Sequence, residues 1–134
     1  LDAGVMVFHP DHTLWRMNSA ARRWLGWEES RDSNLLVEPV RVDWQMLGED
    51  GEPLRRHDLP FERVLVTGQP VRGAIVGMAT DGGARVRWAL CSAYPENDAH
   101  GGLRSVVLTF IDITAMRTAQ AEQKALEARL AQSQ

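Results

Sequence analysis

Apolar residues along this chain follow two spacings, and the change from one to the other marks how the chain is organised. Three stretches rich in strand-forming residues, 71–78, 85–94 and 104–111, predict β-strands, and the second alternates Val86, Trp88 and Leu90 on one face with Arg85 and Arg87 on the other. From Met116 onward, apolar residues recur instead at steps of three and four, the a/d spacing of a coiled-coil seam. The pattern therefore predicts three strands that lead directly into one long helix.

The first half of the chain predicts shorter elements. A strand at residues 4–8, a turn and a second strand at 13–17 indicate a β-hairpin. Asn18 and Ser19 are typical N-cap residues, so we expect a helix from Ala20 to Leu25, which Gly26 should stop. Between residues 27 and 51 the pattern is weak and suggests only short helical pieces, at 35–37 and 44–47.

A second helix is predicted from residue 58, because Asp58 precedes Leu59 and Pro60, and proline is favoured in the first turn of a helix. Gly68 should end it. Strands grouped in this way, with helices between the groups, predict an α+β fold in which helices cover one face of an antiparallel sheet. The first hairpin should pair beside the last three strands.

The order and spacing of several short motifs resemble the PAS domain family over essentially the whole chain. The motifs are residues 4–7 (GVMV), 18–21 (NSAA), 25–26 (LG), 51–54 (GEPL), 59–60 (LP), 67–71 (TGQPV), 81–82 (DG), 87–88 (RW) and 109–114 (TFIDIT). Each motif alone is weak, and the final Asp-Ile-Thr carries the most weight. The resemblance implies a five-stranded antiparallel sheet with short helices on one face and a pocket between sheet and helices.

The resemblance also implies that the chain consists of a sensor domain and a signalling helix. Residues 1–113 would form a PAS sensor domain of a bacterial signalling protein. Residues 114–134 would form a signalling helix leading to a histidine kinase or a cyclic-di-GMP module. Asp112 and Thr114 would transmit the signal. Their chemistry agrees, since Thr114 can serve as the helix N-cap and Asp112 favours the positive end of the helix dipole.

The long helix predicts self-association as a homodimer, through its seam, the sheet face or both. The seam positions are Met116, Ala119, Gln123, Leu126, Leu130 and Ser133. Gln123 at a core position weakens the seam but helps to fix register. The alternative is a surface helix that folds back on its own domain. Because the pattern reaches Gln134 without a stop signal, we expect the helix to continue beyond it.

Composition excludes several classes of function. A net charge of −3 argues against binding to nucleic acid, which needs clustered Lys and Arg. No apolar run approaches the length of a membrane span, so we expect no direct membrane insertion. A single cysteine, Cys91, excludes internal disulfides and favours a reducing, cytoplasmic location.

Residues with cofactor, metal or catalytic chemistry are few. PAS domains bind haem, flavin, organic acids, fatty acids or nothing, and the only haem-ligand candidate, His57, lies in a loop. We therefore expect no haem. Cys91 lies on a strand, not in the helical Asn-Cys-Arg context of flavin photoreceptors, and should be a packing residue. His9 and His12 have metal-like spacing but lack a third ligand. Without a nucleophile motif, the chain is predicted to be non-enzymatic.

The five tryptophans leave room for an organic effector. A site of apolar residues and a few convergent polar groups suits a fatty acid or an aromatic acid. The candidate residues are Trp24, Trp44, Met78, Trp88, Leu90, Ser92, Arg72 and Arg87. Alternatively, the tryptophans simply fill the core, and strand register decides the matter, because a slip of one residue turns Trp88 and Ser92 outward together.

The hypothesis is thus a sensor for a small apolar or amphipathic, carboxylated effector that relays binding through the long helix. The alternative is a PAS module that dimerises and relays without a ligand. A haem sensor is a third and weaker possibility.

Overall fold

The computed structural model describes residues 3–25 and 45–133, and all structural statements below concern these residues. The elements in chain order are β1 (Gly4–Phe8), β2 (Leu14–Met17), α1 (Ser19–Leu25), β3 (Gln45–Leu47), α2 (Pro60–Thr67), β4 (Val71–Thr80), β5 (Arg85–Asn97), β6 (Leu103–Asp112) and α3 (Thr114–Gln132). Single 3₁₀ turns lie at Arg56–Asp58 and Asp81–Gly83.

The strands form one antiparallel sheet in the order β2-β1-β6-β5-β4-β3. The predicted α+β architecture is confirmed, including the first hairpin beside the last three strands. The described sheet has six strands where five were expected. The added strand is β3, where the sequence had suggested a helical piece at 44–47. Met46 pairs opposite Met78 of β4, and this tertiary pairing decides the conformation of so short a segment. The helical piece expected at 35–37 lies outside the described residues.

We call the face of the sheet that packs against α1 and α2 the helix-side face, and the opposite face the open face. Side chains alternate between faces along a strand, so the pairing registers assign each residue to a face. The helix-side face carries Met6, Phe8, Ala74, Val76, Met78, Arg87, Ala89, Cys91, Ala93, Val106, Leu108 and Phe110. The open face carries Val5, Val7, Ile75, Gly77, Trp88, Leu90, Ser92, Tyr94, Val107, Thr109 and Ile111.

The core lies between the helix-side face and the short helices. Phe61 and Val64 of α2 are buried there, and the Phe61 ring meets the Phe8 ring edge to face at 4.9 Å. The Phe110 ring packs against Gly4 of β1, where an added Cβ would come within 2.3 Å of the ring atom Cζ. The close approach of β6 to β1 therefore requires glycine at position 4.

The helix starts follow the sequence in part. Asn18 caps α1 as predicted: its Oδ1 accepts hydrogen bonds from the backbone N–H groups of Ala21 and Val5, both at 3.0 Å. The predicted start of α2, with Asp58 as the N-cap residue, lies one residue too early. The cap residue is Leu59, which makes no side-chain cap bond, and Pro60 is the first helical residue. Gly68 ends α2 in a left-handed conformation, φ 66°, as expected.

Candidate effector site and output joint

Arg87 of β5 and Trp24 of α1 face each other on the helix-side face. The Arg87 guanidinium carbon lies 4.8 Å from the centroid of the Trp24 ring, a cation–π distance. Trp24 also packs against Phe110 at a centroid distance of 5.0 Å. Met78 lies opposite Arg87 in the β4–β5 register and is buried. These four residues lie next to one another on the helix-side face and form the candidate effector site.

Two polar groups in the candidate effector site, the Trp24 indole and the Arg87 guanidinium, have no hydrogen-bond or ion-pair partner for their N–H groups among the residues that the structure describes. The Trp24 indole Nε1 is inaccessible to solvent and has no hydrogen-bond partner among the described residues. Arg87 is half-buried, and no carboxylate of a described residue lies within ion-pair distance of it. A buried donor without an acceptor costs about 1–3 kcal/mol. An oxyanion bound here would satisfy both the N–H donor and the cation.

The structure places four of the predicted pocket residues elsewhere. Trp88, Leu90 and Ser92 lie on the open face, so they do not line the space between sheet and helices. Ser92 Oγ accepts a hydrogen bond from the backbone N–H of Gly73 at 3.1 Å. Arg72 is exposed, with its guanidinium 5.5 Å from the Tyr94 ring on the open face. The strand register determines which face of the sheet each residue lies on, and it places Trp88 and Ser92 on the open face.

The reason for this register is the size of the residues on the other face of β5. Ala89, Cys91 and Ala93 are small and leave room for Phe61 and Val64 of α2. An indole in their place would overfill the core. Trp44, the remaining tryptophan predicted for the pocket, lies outside the described residues.

The output joint is the junction of β6 with α3, held to β5 by Asp112 and Thr114. The Thr114 hydroxyl accepts a hydrogen bond from the Trp88 backbone N–H at 2.9 Å and donates one to Asp112 Oδ1 at 2.6 Å. Asp112 Oδ1 also accepts the Thr114 N–H, and the Trp88 carbonyl accepts the Ile113 N–H at 2.8 Å. The first turn of α3 is thus bonded to both strands.

This geometry corrects the predicted helix cap. The cap residue of α3 is Ile113, and Thr114 is the first helical residue. The Thr114 hydroxyl therefore joins α3 to β5 rather than capping the helix, while Asp112 satisfies the free N–H of Thr114. Beyond the first turn, α3 leaves the body of the domain, since none of its residues is buried. It does not fold back as the alternative interpretation required.

Two residues that the sequence did not single out complete the joint. The Arg117 guanidinium carbon lies 4.0 Å from the centroid of the Trp88 ring on the open face. Beneath that ring, Gly77 of β4 would bring an added Cβ within 2.8 Å of it. The spacing of Arg117, three residues after Thr114, signals only that the two share a helix face. Its contact with Trp88 of β5 can be inferred only once the strand register is known.

The other residues considered for chemistry have separate roles. His57 is 68% exposed and lies 3.6 Å from Asp58. The His9 ring stacks on Trp15, whereas His12 Nε2 lies 2.7 Å from Glu62 Oε1, so the two imidazoles have different partners. No cluster of three potential metal ligands occurs within residues 3–25 and 45–133.

Cys91 is buried on the helix-side face, where desolvation raises the pKa of its thiol to about 12. It packs with the apolar core rather than with a base. In the part of the chain that the structure describes, no helix has both the length and the apolar composition of a membrane span.

An antiparallel sheet with helices on one face and a single helix leaving its last strand is the architecture that the sequence resemblance implied. A family model described as the PAS fold matches residues 1–118. The chain belongs to the PAS family, whose domains are sensory rather than catalytic. No curated protein matches the sequence.

Solved structures agree on the fold. The PAS domain from Bordetella pertussis BvgS superposes with a TM-score of 0.52 at 14% identity, covering 93% of this chain and 86% of that one. An RNA-binding light-oxygen-voltage receptor superposes with a TM-score of 0.53 at 19% identity, covering 92% of this chain. This chain spans 33% of that receptor. At these identities the likeness concerns the fold alone.

Proposed function

We propose that this domain senses a small carboxylated effector at the Arg87–Trp24 site and relays binding through α3. The observation that carries the proposal is the half-buried Arg87 guanidinium, which has no carboxylate partner among residues 3–25 and 45–133, beside the buried indole N–H of Trp24. A carboxylate accepts from both groups at once, and charge-assisted hydrogen bonds of this kind are among the strongest in proteins. Met78 and Phe110 would contact the apolar body of the effector.

The relay follows from adjacency along β5. Arg87 faces the helix side, and its neighbour Trp88 faces the open side, where it contacts the start of α3. Any displacement of the β5 backbone at residue 87 is therefore transmitted within one peptide unit to the residue that holds Thr114. The helix would carry that displacement to an output module, for which we propose a histidine kinase or a cyclic-di-GMP enzyme in the cytoplasm.

A thermal-shift screen tests the effector site directly. Octanoate and phenylacetate represent the two ligand classes, and saturation at a hundred times the dissociation constant should add about 2.7 kcal/mol of stability. Arg87→Gln should remove most of this stabilisation because it removes the cation. Arg72→Gln is the matched control, since Arg72 lies over Tyr94 on the opposite face. Undiminished stabilisation of the Arg87→Gln variant would overturn the proposed site.

A second candidate function is dimerisation and relay without a ligand. It is supported by the apolar residues of the open face and α3: Leu90 and Ile111 are each 37% exposed, Met116 52%, Leu126 49% and Leu130 56%. Three of these lie on the predicted seam of α3. A homodimer in which the seams of two copies pair would cover them.

Analytical ultracentrifugation tests this second function. Gln123→Leu should strengthen self-association, because it places an apolar residue between Met116 and Leu130 on the seam. Gln132→Leu makes the same chemical change off the seam and should leave the dimer constant unchanged. Equal effects of the two substitutions would show that the seam is misplaced.

A further inference from the structure

The Arg117 side chain joins three separate parts of the chain. Its backbone belongs to α3, its guanidinium covers the Trp88 ring of β5 at 4.0 Å, and its Nη2 donates a hydrogen bond to the carbonyl oxygen of Glu49 at 3.3 Å. Glu49 lies in the turn that follows β3. Among the described residues of α3, only Arg117 makes a side-chain hydrogen bond to this turn.

The 48–52 turn is held firmly enough to transmit a movement. The Gly48 N–H donates to the Glu52 carbonyl at 2.8 Å, and the Gly51 N–H donates to the Gly48 carbonyl at 2.9 Å. Beyond the turn, the Leu54 N–H donates to the Met46 carbonyl at 2.8 Å. A displacement of β3 therefore moves the Glu49 carbonyl with it.

The Trp88 ring is also fixed from below. Leu47 of β3 pairs with Gly77 of β4, and the ring lies on Gly77 with no room for a Cβ between them. β3, β4, the indole and the Arg117 guanidinium consequently form a continuous stack that ends at α3. Because guanidinium is planar, Arg117 can lie on the ring and still donate to a carbonyl, which lysine does less well.

We propose that Arg117 is a second coupling residue, which makes the start of α3 respond to the position of the β3 turn. The effector site reaches α3 through Thr114, whereas the β3 edge of the sheet reaches it through Arg117. The domain then combines two inputs at one helix. This inference rests on the proposed function only in treating α3 as the output element.

Two glycines of equal geometry allow a matched test. Gly51, at φ 84°, lies in the 48–52 turn, and Gly101, at φ 83°, lies in the turn before β6. Neither has a neighbour that an added Cβ would meet within 4 Å. Alanine at either position introduces the same backbone strain, but only the Gly51 turn contacts Arg117.

Amide hydrogen exchange of Arg117, Thr118 and Ala119 is the readout, in the 134-residue chain without added effector. Gly51→Ala should speed this exchange by about two- to fivefold, the lower part of the range expected when one intramolecular hydrogen bond, here from Arg117 to the Glu49 carbonyl, is lost. Gly101→Ala should not change it. Arg117→Ala should produce a similar increase, to which Gly51→Ala adds nothing. Arg129→Ala removes the same charge from the same helix and should have no effect.

Two results would overturn the inference. One is a Gly51→Ala effect that persists in full when Arg117 is alanine, and the other is unchanged exchange in both single variants. Either result leaves the Arg87 effector site standing, because the measurement uses no effector. Conversely, if octanoate and phenylacetate fail to bind, the coupling of the turn to α3 is still measured.

Discussion

Two of the arginine–tryptophan pairs, Arg87–Trp24 and Arg117–Trp88, lie on opposite faces of the sheet, and they differ in their surroundings. On the helix-side face, Arg87 lies 4.8 Å from a tryptophan whose indole N–H has no partner among the described residues. On the open face, Arg117 lies 4.0 Å from Trp88, and its guanidinium also bonds to the Glu49 carbonyl. The first pair has N–H donors without partners among the described residues, whereas the second pair links α3 to β5 and to the turn that follows β3.

In the proposed function, this difference separates ligand binding from signal transmission. A site that binds a ligand needs unsatisfied groups, and a joint that transmits a displacement needs satisfied ones. Since Arg87 and Trp88 are consecutive residues of β5, alternation of side chains places the proposed binding site and the output joint on opposite faces of the same strand. Under this proposal, binding on one face would reach the other face through the β5 backbone.

The largest expected effect contrasts neighbouring residues of β6. Phe110 on the helix-side face is 5% exposed and Ile111 on the open face is 37% exposed. Phe110→Ala should lower the free energy of unfolding by about 3–5 kcal/mol, because it leaves a cavity against Gly4 and Trp24. Ile111→Ala should cost about 1 kcal/mol or less, as much of its surface is already solvated. Equal costs in denaturant unfolding would contradict the assignment of faces.

A smaller loss is expected at Gly77 on the open face. Gly77→Ala places a Cβ about 2.8 Å from the Trp88 ring, and overpacking of this kind costs about 1–3 kcal/mol. In a Trp88→Leu background the ring is gone, so the same substitution should cost little. The comparison is made by urea unfolding of the four proteins. A cost that remains in the leucine background would mean that Trp88 does not lie on Gly77.

The next prediction concerns the Thr114 hydroxyl, which links α3 to β5 in the output joint. Thr114→Val keeps the shape but removes the hydroxyl that accepts the Trp88 N–H, leaving that donor unsatisfied at a cost of about 1–3 kcal/mol, toward the lower end where water reaches it. Thr118→Val is the control, because the Thr118 hydroxyl only donates to the carbonyl of Thr114 within the helix. Hydrogen exchange of the Trp88 amide should rise with the first substitution alone. Protection that survives Thr114→Val would exclude the hydroxyl as the anchor.

The smallest effect concerns pH and the helix-side face. Burial raises the pKa of the Cys91 thiol from its ordinary value of 9.0 to about 12. Above pH 9 the unfolded chain loses this proton while the folded chain keeps it, so the contribution of Cys91 to stability falls as the pH rises. Between pH 8 and pH 10 the wild type should lose about 1 kcal/mol more than Cys91→Ala does. Parallel pH profiles of the two proteins would place the thiol in contact with water.

Local signals in the sequence predicted the elements well and the faces poorly. Asn18 at the start of α1 and Gly68 at the end of α2 act through their own backbone neighbourhoods, so a single sequence reveals them. The alternation along β5 was also correct. The face of β5 that turns toward α1 and α2 was not predictable from hydrophobicity, because the larger apolar residues, Trp88 and Leu90, lie on the opposite face.

That inversion has a tertiary cause. The helix-side face of β5 needs small residues beneath α2, whereas Trp88 is covered by α3 and Arg117, an element distant in sequence. β3 was missed for a related reason, since three residues hold no periodicity and Met46 becomes a strand residue only by pairing with Met78. Both features depend on contacts between distant segments, which no local pattern contains.

The most direct measurement is the exchange of the amides of residues 113–118 with and without a bound carboxylate. Saturating octanoate or phenylacetate, whichever stabilises the domain, should change the protection of these amides, and Arg87→Gln should abolish the change. Ligand that stabilises the wild type but leaves residues 113–118 unaltered would contradict the account, because binding on one face of β5 would then have no consequence on the other.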